Sequence, residues 1–204
     1  MTRAQLIDFV KVKLDEYSNY DDGLLITTAD QDVMPVKSYI DKTLDEASEQ
    51  VVMLLPNHLV AQTSIPNQPV HVDGYAKVEL PADFLKLSAY KITAWEREVD
   101  GVITPQNPEY IKQKNKYTRG GYAKPAIVLT QSNNKKYLEI YPFTVGDTVE
   151  VNYYIKRTVA ENYTGCESFI ILMAASKVFT ILERSDLSKA MMEELSLLIK
   201  SQAL

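Results

Sequence analysis

Few residues of this 204-residue chain could do chemistry, and their spacing does not join them into a site. The single cysteine, Cys166, is distant in sequence from both histidines, His58 and His71. A thiol nucleophile needs a neighbouring base, and a zinc site needs three or four ligands, so neither pattern is complete. The sequence also has no glycine-rich phosphate loop, paired-histidine metalloprotease motif or nucleophile elbow. We therefore expect a protein that is not an enzyme and that binds no metal or cofactor.

Two acidic fragments share features with calcium-binding loops. They are Asp21-Asp22-Gly23 and the pair formed by Asp30 and Asp32. Neither has the alternating order of ligands or the terminal bidentate glutamate that a calcium loop requires. We interpret both fragments as parts of a solvated acidic loop.

Basic residues are concentrated in one stretch of an otherwise acidic chain, whose formal net charge is −5 at pH 7. Residues 107–136 contain one acid, Glu109, and seven basic residues, which are Lys112, Lys114, Lys116, Arg119, Lys124, Lys135 and Lys136. Interleaved tyrosines could stack on bases while the cations pair with phosphates. Because the chain as a whole is acidic, three interpretations stay open: local contact with DNA, docking of an acidic protein, or a solvated surface.

Tyrosine is abundant in the same central region, where ten of the 13 tyrosines lie between Tyr75 and Tyr163. Tyrosine is enriched at protein–protein interfaces because it offers a large contact area at a low entropy cost. The central region is therefore either an interaction module or a set of half-buried strands.

Helical periodicity marks both ends of the chain. Apolar spacing predicts a helix over residues 3–17, and Thr2 with Gln5 forms a capping-box pattern at its start. A loop is expected over residues 19–32. A second helix is predicted to begin near Pro35 and to end at Pro56.

The C-terminal segment predicts two more helices. Thr164 and Glu167 form another capping-box pattern before residues 169–182, which are apolar on most sides and so predict a buried helix. A last helix is expected to begin near Ser185 and to carry an apolar stripe made of Leu187, Met191, Leu195 and Leu198. Such a stripe must be buried against the subunit itself or a partner, so these four residues are candidate interface residues.

Between these ends the hydrophobic pattern changes to a period of two, which is typical of strands. Strands are predicted over residues 75–80, 85–95 and 126–130. A short surface helix is predicted over residues 108–117. Residues 137–141 and 148–156 are predicted to form a hairpin.

These elements predict an α+β fold. Residues 1–69 and 158–204 would form an α-helical bundle from the N- and C-terminal segments. Residues 70–157 would form an inserted antiparallel β-rich subdomain.

A series of motifs runs through the centre of the chain. Leu80-Pro-Ala-Asp-Phe84 separates two predicted strands, and Trp95-Glu-Arg97 ends the second one. Pro108-Glu-Tyr110 opens the predicted surface helix, and Leu138-Glu-Ile-Tyr-Pro142 ends in a proline. In this order the motifs resemble the head-to-tail connector proteins, also called adaptor or ring proteins, of short-tailed phages, including crAss-like phages. The resemblance covers about residues 35–200.

The resemblance implies a structural virion protein without catalytic residues. Copies of the chain would form a homo-oligomeric ring, by analogy a dodecamer, that joins the portal to the tail and extends the DNA channel. The implied partners are the portal protein, a downstream tail or ring protein, and DNA contacted without sequence preference. The alternative is a tail-completion or assembly-chaperone binding module.

Composition agrees with assembly of such a protein in the host bacterial cytoplasm. Hydrophobic residues make up 46% of the chain and charged residues 24%, a balance typical of globular rather than disordered proteins. The longest fully apolar stretch, residues 169–175, is shorter than the roughly 20 residues that span a bilayer. The N-terminus shows no secretory pattern. We expect no membrane partner, and a final location in the virion.

Overall fold

The computed structural model describes residues 1–18 and 36–202 and confirms the predicted α+β class. Its helices are α1 (Arg3–Ser18), α2 (Val36–Leu54), α3 (Pro108–Lys114), α4 (Glu167–Ile181) and α5 (Ser185–Gln202). Its strands are β1 (Thr63–Ser64), β2 (Val70–Val72), β3 (Tyr75–Glu79), β4 (Phe84–Ile92), β5 (Ala126–Ser132), β6 (Lys135–Tyr141) and β7 (Val149–Lys156). The loop expected over residues 19–32, with its acidic fragments, lies outside the described residues.

The chain divides into two compact units. One consists of Met1–Ala61 together with Thr158–Leu204, and the other of Gln62–Arg157. The first division falls earlier than the sequence boundary at residue 70, so that β1 belongs to the β-rich unit. We call these two parts the helical unit and the β unit.

The helical unit packs α1, α2 and α5 against α4. As predicted, α4 is buried on most sides, and ten of its 15 residues belong to the interior. The capping box at the start of α1 is also confirmed, because the Thr2 N–H donates to Gln5 Oε1 at 2.9 Å and the Gln5 N–H to Thr2 Oγ1 at 3.3 Å.

The second predicted capping box is wrong. Helix α4 has Cys166 as its N-cap, with no hydrogen bond from a side chain to the helix end. Glu167 is therefore the first helical residue rather than the third, and it cannot reach back over a turn to Thr164. Gly165, the residue before the N-cap, adopts a left-handed φ of +83°, and this turn directs the chain into the helix.

The β unit contains two antiparallel sheets. One has the strand order β1-β7-β4, and the other has the order β2-β3-β6-β5. The hairpin predicted from residues 137–141 and 148–156 is wrong, because β6 and β7 belong to different sheets. β6 instead forms a hairpin with β5.

The turn of the β5–β6 hairpin consists of Asn133 and Asn134, with φ angles of 50° and 60°. Two consecutive left-handed residues are the signature of the tight turn that suits the twist of a hairpin. Asparagine tolerates this region better than most residues with a side chain, so the local sequence determines the turn.

Alternation along β3 and β6 creates two faces on the second sheet. Ala76, Val78, Leu138 and Ile140 point to the main core of the unit. By the period of two, Tyr75, Lys77, Glu139 and Tyr141 lie on the opposite face. We call this opposite side the outer face.

Candidate interaction surface

Helix α3 covers one end of the outer face. It begins at an N-cap, Asn107, whose side chain accepts from the Glu109 N–H at 3.0 Å, and Pro108 occupies the first turn. The Tyr110 ring is buried beside Val128 and Tyr141. The helix ends at Lys114, three residues earlier than predicted, so Lys116 and Tyr117 lie in the following loop.

A buried carboxylate joins α3 to the sheet. Glu139 is 8% exposed, and its Oε2 accepts from Tyr141 Oη at 2.8 Å and from Tyr110 Oη at 3.1 Å. Burial and the neighbouring Glu139 raise the pKa of Tyr141, so this phenol stays protonated and keeps donating. The arrangement fixes α3 in place and offers no nucleophile or proton relay.

Sequence reasoning did not identify Glu139 as important. The available signal was its position between Leu138 and Ile140, two core residues of one strand. The strand period places Glu139 on the other face, where only a covering element can bury it. That element, α3, comes from a distant part of the sequence and could not be assigned to this face from local patterning.

The seven candidate basic residues do not form one continuous cluster. Lys112, Lys114, Lys116, Arg119 and Lys124 lie on α3 and the loop that follows it. Lys135 and Lys136 lie at the opposite end of β6 from Tyr141, which contacts α3. Six residue steps along a strand separate these ends by roughly 20 Å. The charge is therefore divided between a helix group and a hairpin group.

Within the helix group, all four lysines are exposed. Lys112 Nζ pairs with Glu109 Oε1 at 2.5 Å. Lys114 Nζ lies 4.6 Å from the centre of the Tyr110 ring, and Lys116 Nζ lies 5.1 Å from that of Tyr117. Such cation–π contacts hold a charge at the surface without neutralising it. These side chains can still attract an anionic partner.

Arg119 is different, because the fold uses its charge. Its Nε donates to the Gln113 carbonyl at 2.7 Å, and its Nη1 donates to the Gly74 carbonyl at 2.6 Å. Gly74 has a φ of +73°, and a Cβ there would overlap the Arg119 guanidinium. Arg119 therefore connects α3 to the β2–β3 turn, so its predicted role as a partner or DNA contact is corrected to a structural one.

Residues of the hairpin group are also exposed. Lys135 Nζ pairs with Glu79 Oε1 at 2.7 Å. Nearby on the outer face, Lys77 Nζ lies 4.0 Å from the centre of the Tyr137 ring. Lys77 was not among the predicted contact residues, since it lies outside the basic stretch in sequence and joins it only through β3–β6 pairing.

The apolar stripe predicted for α5 is only partly available. Met191 and Leu195 are 0% and 1% exposed and belong to the interior of the helical unit, whereas Leu187 and Leu198 are half-buried. The idea that all four residues form an interface is therefore corrected for Met191 and Leu195. Both are already covered within the subunit, because α5 packs closely on α4.

Exposed apolar side chains occur beside that stripe instead. Lys13 Nζ pairs with Glu194 Oε1 at 3.3 Å, which brings α1 next to α5. Phe9 and Leu197, each one turn from a member of this pair, are largely exposed. Val12 on α1 is also exposed, and we call Phe9, Val12 and Leu197 the α1–α5 surface.

The residues considered for catalysis are not assembled into a site. Cys166 is 1% exposed, and burial, together with Glu167, raises the pKa of its thiol. His58 and His71 are exposed and lie in different units. No group of three or more potential metal ligands occurs among residues 1–18 and 36–202. In the same residues, no helix combines the length and apolar character needed to cross a bilayer.

No family model matches the sequence, and no curated protein matches it.

Proposed function

We propose that this chain is a structural subunit of a phage head-to-tail connector. Copies form a ring, twelvefold by analogy, that joins the portal to the tail and extends the DNA channel. The chain acts without catalysis, cofactor or membrane, and it enters the virion from the host bacterial cytoplasm. The observation that carries the proposal is the ordered set of central motifs that resembles the connector proteins of short-tailed phages.

Residues of these motifs make contacts that hold the β unit together. The Phe84 ring stacks on Tyr154 with centroids 5.8 Å apart, and Tyr154 Oη donates to Asp83 at 3.1 Å. Trp95 Nε1 donates to the Pro142 carbonyl at 3.0 Å. These contacts join distant parts of the β unit, so the resemblance concerns the framework of that unit.

Exposed apolar groups support an assembling subunit. Phe9, Val12 and Leu197 of the α1–α5 surface are exposed on two helices that the Lys13–Glu194 ion pair connects. A ring needs head-to-tail contacts between two unlike faces of each subunit. The α1–α5 surface is the candidate for one of these faces, or for contact with the portal, together with half-buried Leu187 and Leu198.

The exposed lysines support contact with DNA or an acidic partner. Lys112, Lys114, Lys116 and Lys124 of the helix group, with Lys135 and Lys136 of the hairpin group, would be repeated in every subunit of a ring. Repetition multiplies a modest charge into a ring of cations, which attracts a polyanion without reading its sequence.

Deleting the gene from its phage tests the proposal. We expect DNA-filled or empty heads without tails, and the chain itself in purified wild-type particles. Normal tailed particles from the deletion would contradict the connector function. Tail loss combined with absence of the chain from mature particles would favour the assembly-chaperone alternative.

The lysine contribution is tested by the triple variant K112E/K114E/K116E. The matched control is K37E/K189E/K200E, which changes three exposed lysines of the helical unit. We expect the first variant to lower DNA retention or tail attachment at least tenfold and the control to leave both unchanged. If the two variants retain DNA and attach tails equally well, the helix group is a solvated surface without a role in binding.

A further inference from the structure

A cavity of about 530 Å³ lies beside α3 within the β unit. Its wall includes Arg97, Glu109, Gln113, Gly120 and Lys124. The volume falls in the range of roughly 300–1,000 Å³ that is usual for pockets that hold small ligands. Of the wall residues, Lys124 also belongs to the helix group, and the connector function described above assigns no role to the cavity itself.

One polar group at the cavity has no partner. Gln113 is 6% exposed, and its Oε1 accepts no hydrogen bond from any residue in the described part of the chain. Gln113 belongs to the wall of the cavity, and its Nε2 faces Gly120, another wall residue, where a Cβ would be 3.5 Å from it. A buried acceptor without a donor destabilises a protein, so its presence points to a donor supplied from outside.

Two cations at the same cavity also lack partners. Within residues 1–18 and 36–202, neither Arg97 nor Lys124 forms an ion pair, and both are exposed. The acid at the cavity wall, Glu109, is already paired with Lys112 at 2.5 Å. The cavity therefore combines two free positive charges with a buried hydrogen-bond acceptor.

We propose that this cavity binds a short acidic peptide segment of a partner protein. A carboxylate of the segment pairs with Arg97 and Lys124, and a backbone N–H of the segment donates to Gln113 Oε1. An extended peptide carries both groups within a few residues, which matches the size of the cavity. The proposal does not depend on ring formation, since all the residues that it uses belong to one subunit.

A nucleic-acid backbone fits this cavity less well. Phosphodiester oxygens would pair with Arg97 and Lys124, but they can only accept hydrogen bonds. They would leave Gln113 Oε1 without a donor, and its desolvation cost would remain. A peptide satisfies both the cations and the amide oxygen.

The test uses the full-length chain and the probe acetyl-Gly-Asp-Ala-Glu-Gly-amide, with acetyl-Gly-Asn-Ala-Gln-Gly-amide as the neutral control. Binding is followed by ¹⁵N NMR shifts of residues 113–126. We expect saturable shifts with the acidic probe and at least tenfold weaker binding of the neutral one. The double variant R97Q/K124Q should weaken binding of the acidic probe at least tenfold, whereas K77Q/K136Q should not.

Gln113→Met separates a binding role from a structural one. Methionine has a similar volume and removes the unpartnered acceptor, so we expect unchanged or higher thermal stability together with at least fivefold weaker binding of the acidic probe. A clear loss of stability, with binding intact, would mean that Gln113 serves the fold and would overturn the proposal.

Two further results would also overturn the proposal. One is equal binding of the acidic and neutral probes. The other is tight binding of a 12-base-pair DNA duplex that R97Q/K124Q abolishes and that the acidic peptide does not displace, which would assign the cavity to nucleic acid. Peptide binding does not require ring assembly, so failure of this test leaves the proposed ring unaffected and removes only an acidic peptide as the partner of Lys124.

Discussion

At the scale of single residues, the strongest polar group of the helical unit surrounds Arg3. Its guanidinium donates to Asp41 Oδ1 at 2.7 Å and to Asp45 Oδ1 at 3.0 Å, and it also contacts Glu161 at 3.3 Å. Asp45 in turn accepts from the Ala160 N–H at 3.0 Å. A single arginine thus joins α1, α2 and the segment that returns to the helical unit at Thr158.

This group makes the free energy of unfolding depend on pH in the acidic range. Partial burial acts to raise the pKa of Asp45, but hydrogen bonds from Arg3 and the Ala160 N–H outweigh it and hold the pKa below its usual value. The unfolded carboxyl has a pKa of about 3.9. The stabilisation by Asp45 is therefore fully present above that pH and is lost as the pH falls through the folded pKa.

We expect Asp45→Asn to lower the free energy of unfolding by about 0.5–1 kcal/mol at pH 7, a small value because water screens this half-exposed side chain. The difference from the wild type should shrink below about pH 4. Urea unfolding between pH 2.5 and 7 measures it. Asp8→Asn, which removes an exposed acid, is the control. A difference that grows in acid would contradict the assigned pKa shift.

Cys166 provides a second prediction at this scale. The thiol is buried and its pKa is raised by burial and then by Glu167, so little thiolate is present and reagents cannot reach it. In the native protein we expect Ellman's reagent to react with Cys166 at least 100-fold more slowly than in 6 M guanidinium chloride. Rapid reaction of the native protein would instead reveal an accessible, activated thiol.

At the scale of elements, local chemistry predicts the helices and most strands, but it does not predict which strands pair. The α1 capping box and the buried character of α4 follow from neighbouring residues. The pairing of β6 depends on β3 and β5, whereas β7 pairs with β1 and β4. Closeness of β6 and β7 in sequence suggested a hairpin, yet burial of both sheets against one core determined their partners.

In the candidate surfaces, too, local sequence predicts some features, whereas others depend on contacts between distant residues. Exposure of Lys112 and Lys114 follows from their positions on a short polar helix, and that of Lys116 from the loop after it. The use of Arg119 inside the fold depends on Gly74, which lies 45 positions away. The sequence pattern could not indicate this contact, because an arginine in a basic loop has the same local signature whether its charge is free or bound.

The β5–β6 turn is open to a direct test. Asn134 has a φ of 60°, which costs a residue with a Cβ roughly 1 kcal/mol or more. We expect Asn134→Gly to be neutral or slightly stabilising, and Asn134→Val to destabilise the protein by about 1–2 kcal/mol. Thermal unfolding of the two variants measures the difference. Equal stability would mean that the turn is not left-handed at this position.

Two leucines on α5 allow folding and assembly to be tested separately. Leu195 is 1% exposed and Leu197 is 66% exposed, although they lie two residues apart. Leu195→Ala should destabilise the chain by about 2–5 kcal/mol. Leu197→Asp should change stability by less than about 0.5 kcal/mol and should weaken self-association.

Urea unfolding and sedimentation velocity, applied to both variants, give the two readouts. A Leu197→Asp protein that associates as well as the wild type would remove Leu197 from the proposed α1–α5 interface. Normal stability of Leu195→Ala would contradict the packing of α5 on α4.

At the scale of the whole molecule, the chain forms two units, each with polar and apolar surface that its own fold does not use. The helical unit exposes Phe9, Val12 and Leu197, and the β unit exposes the helix group and hairpin group of lysines. Neither unit brings together residues with a catalytic arrangement in the described part of the chain. These features suit a protein that binds other molecules, and on the ground of the motif resemblance we propose assembly at the head–tail junction as its task.

The most direct test of this account is single-particle electron microscopy of the purified full-length chain, alone and mixed with the portal protein of the same phage. The account predicts closed rings with a central channel, twelvefold by analogy, bound coaxially to one end of the portal. Particles of monomer size under both conditions, with no density added to the portal, would contradict it.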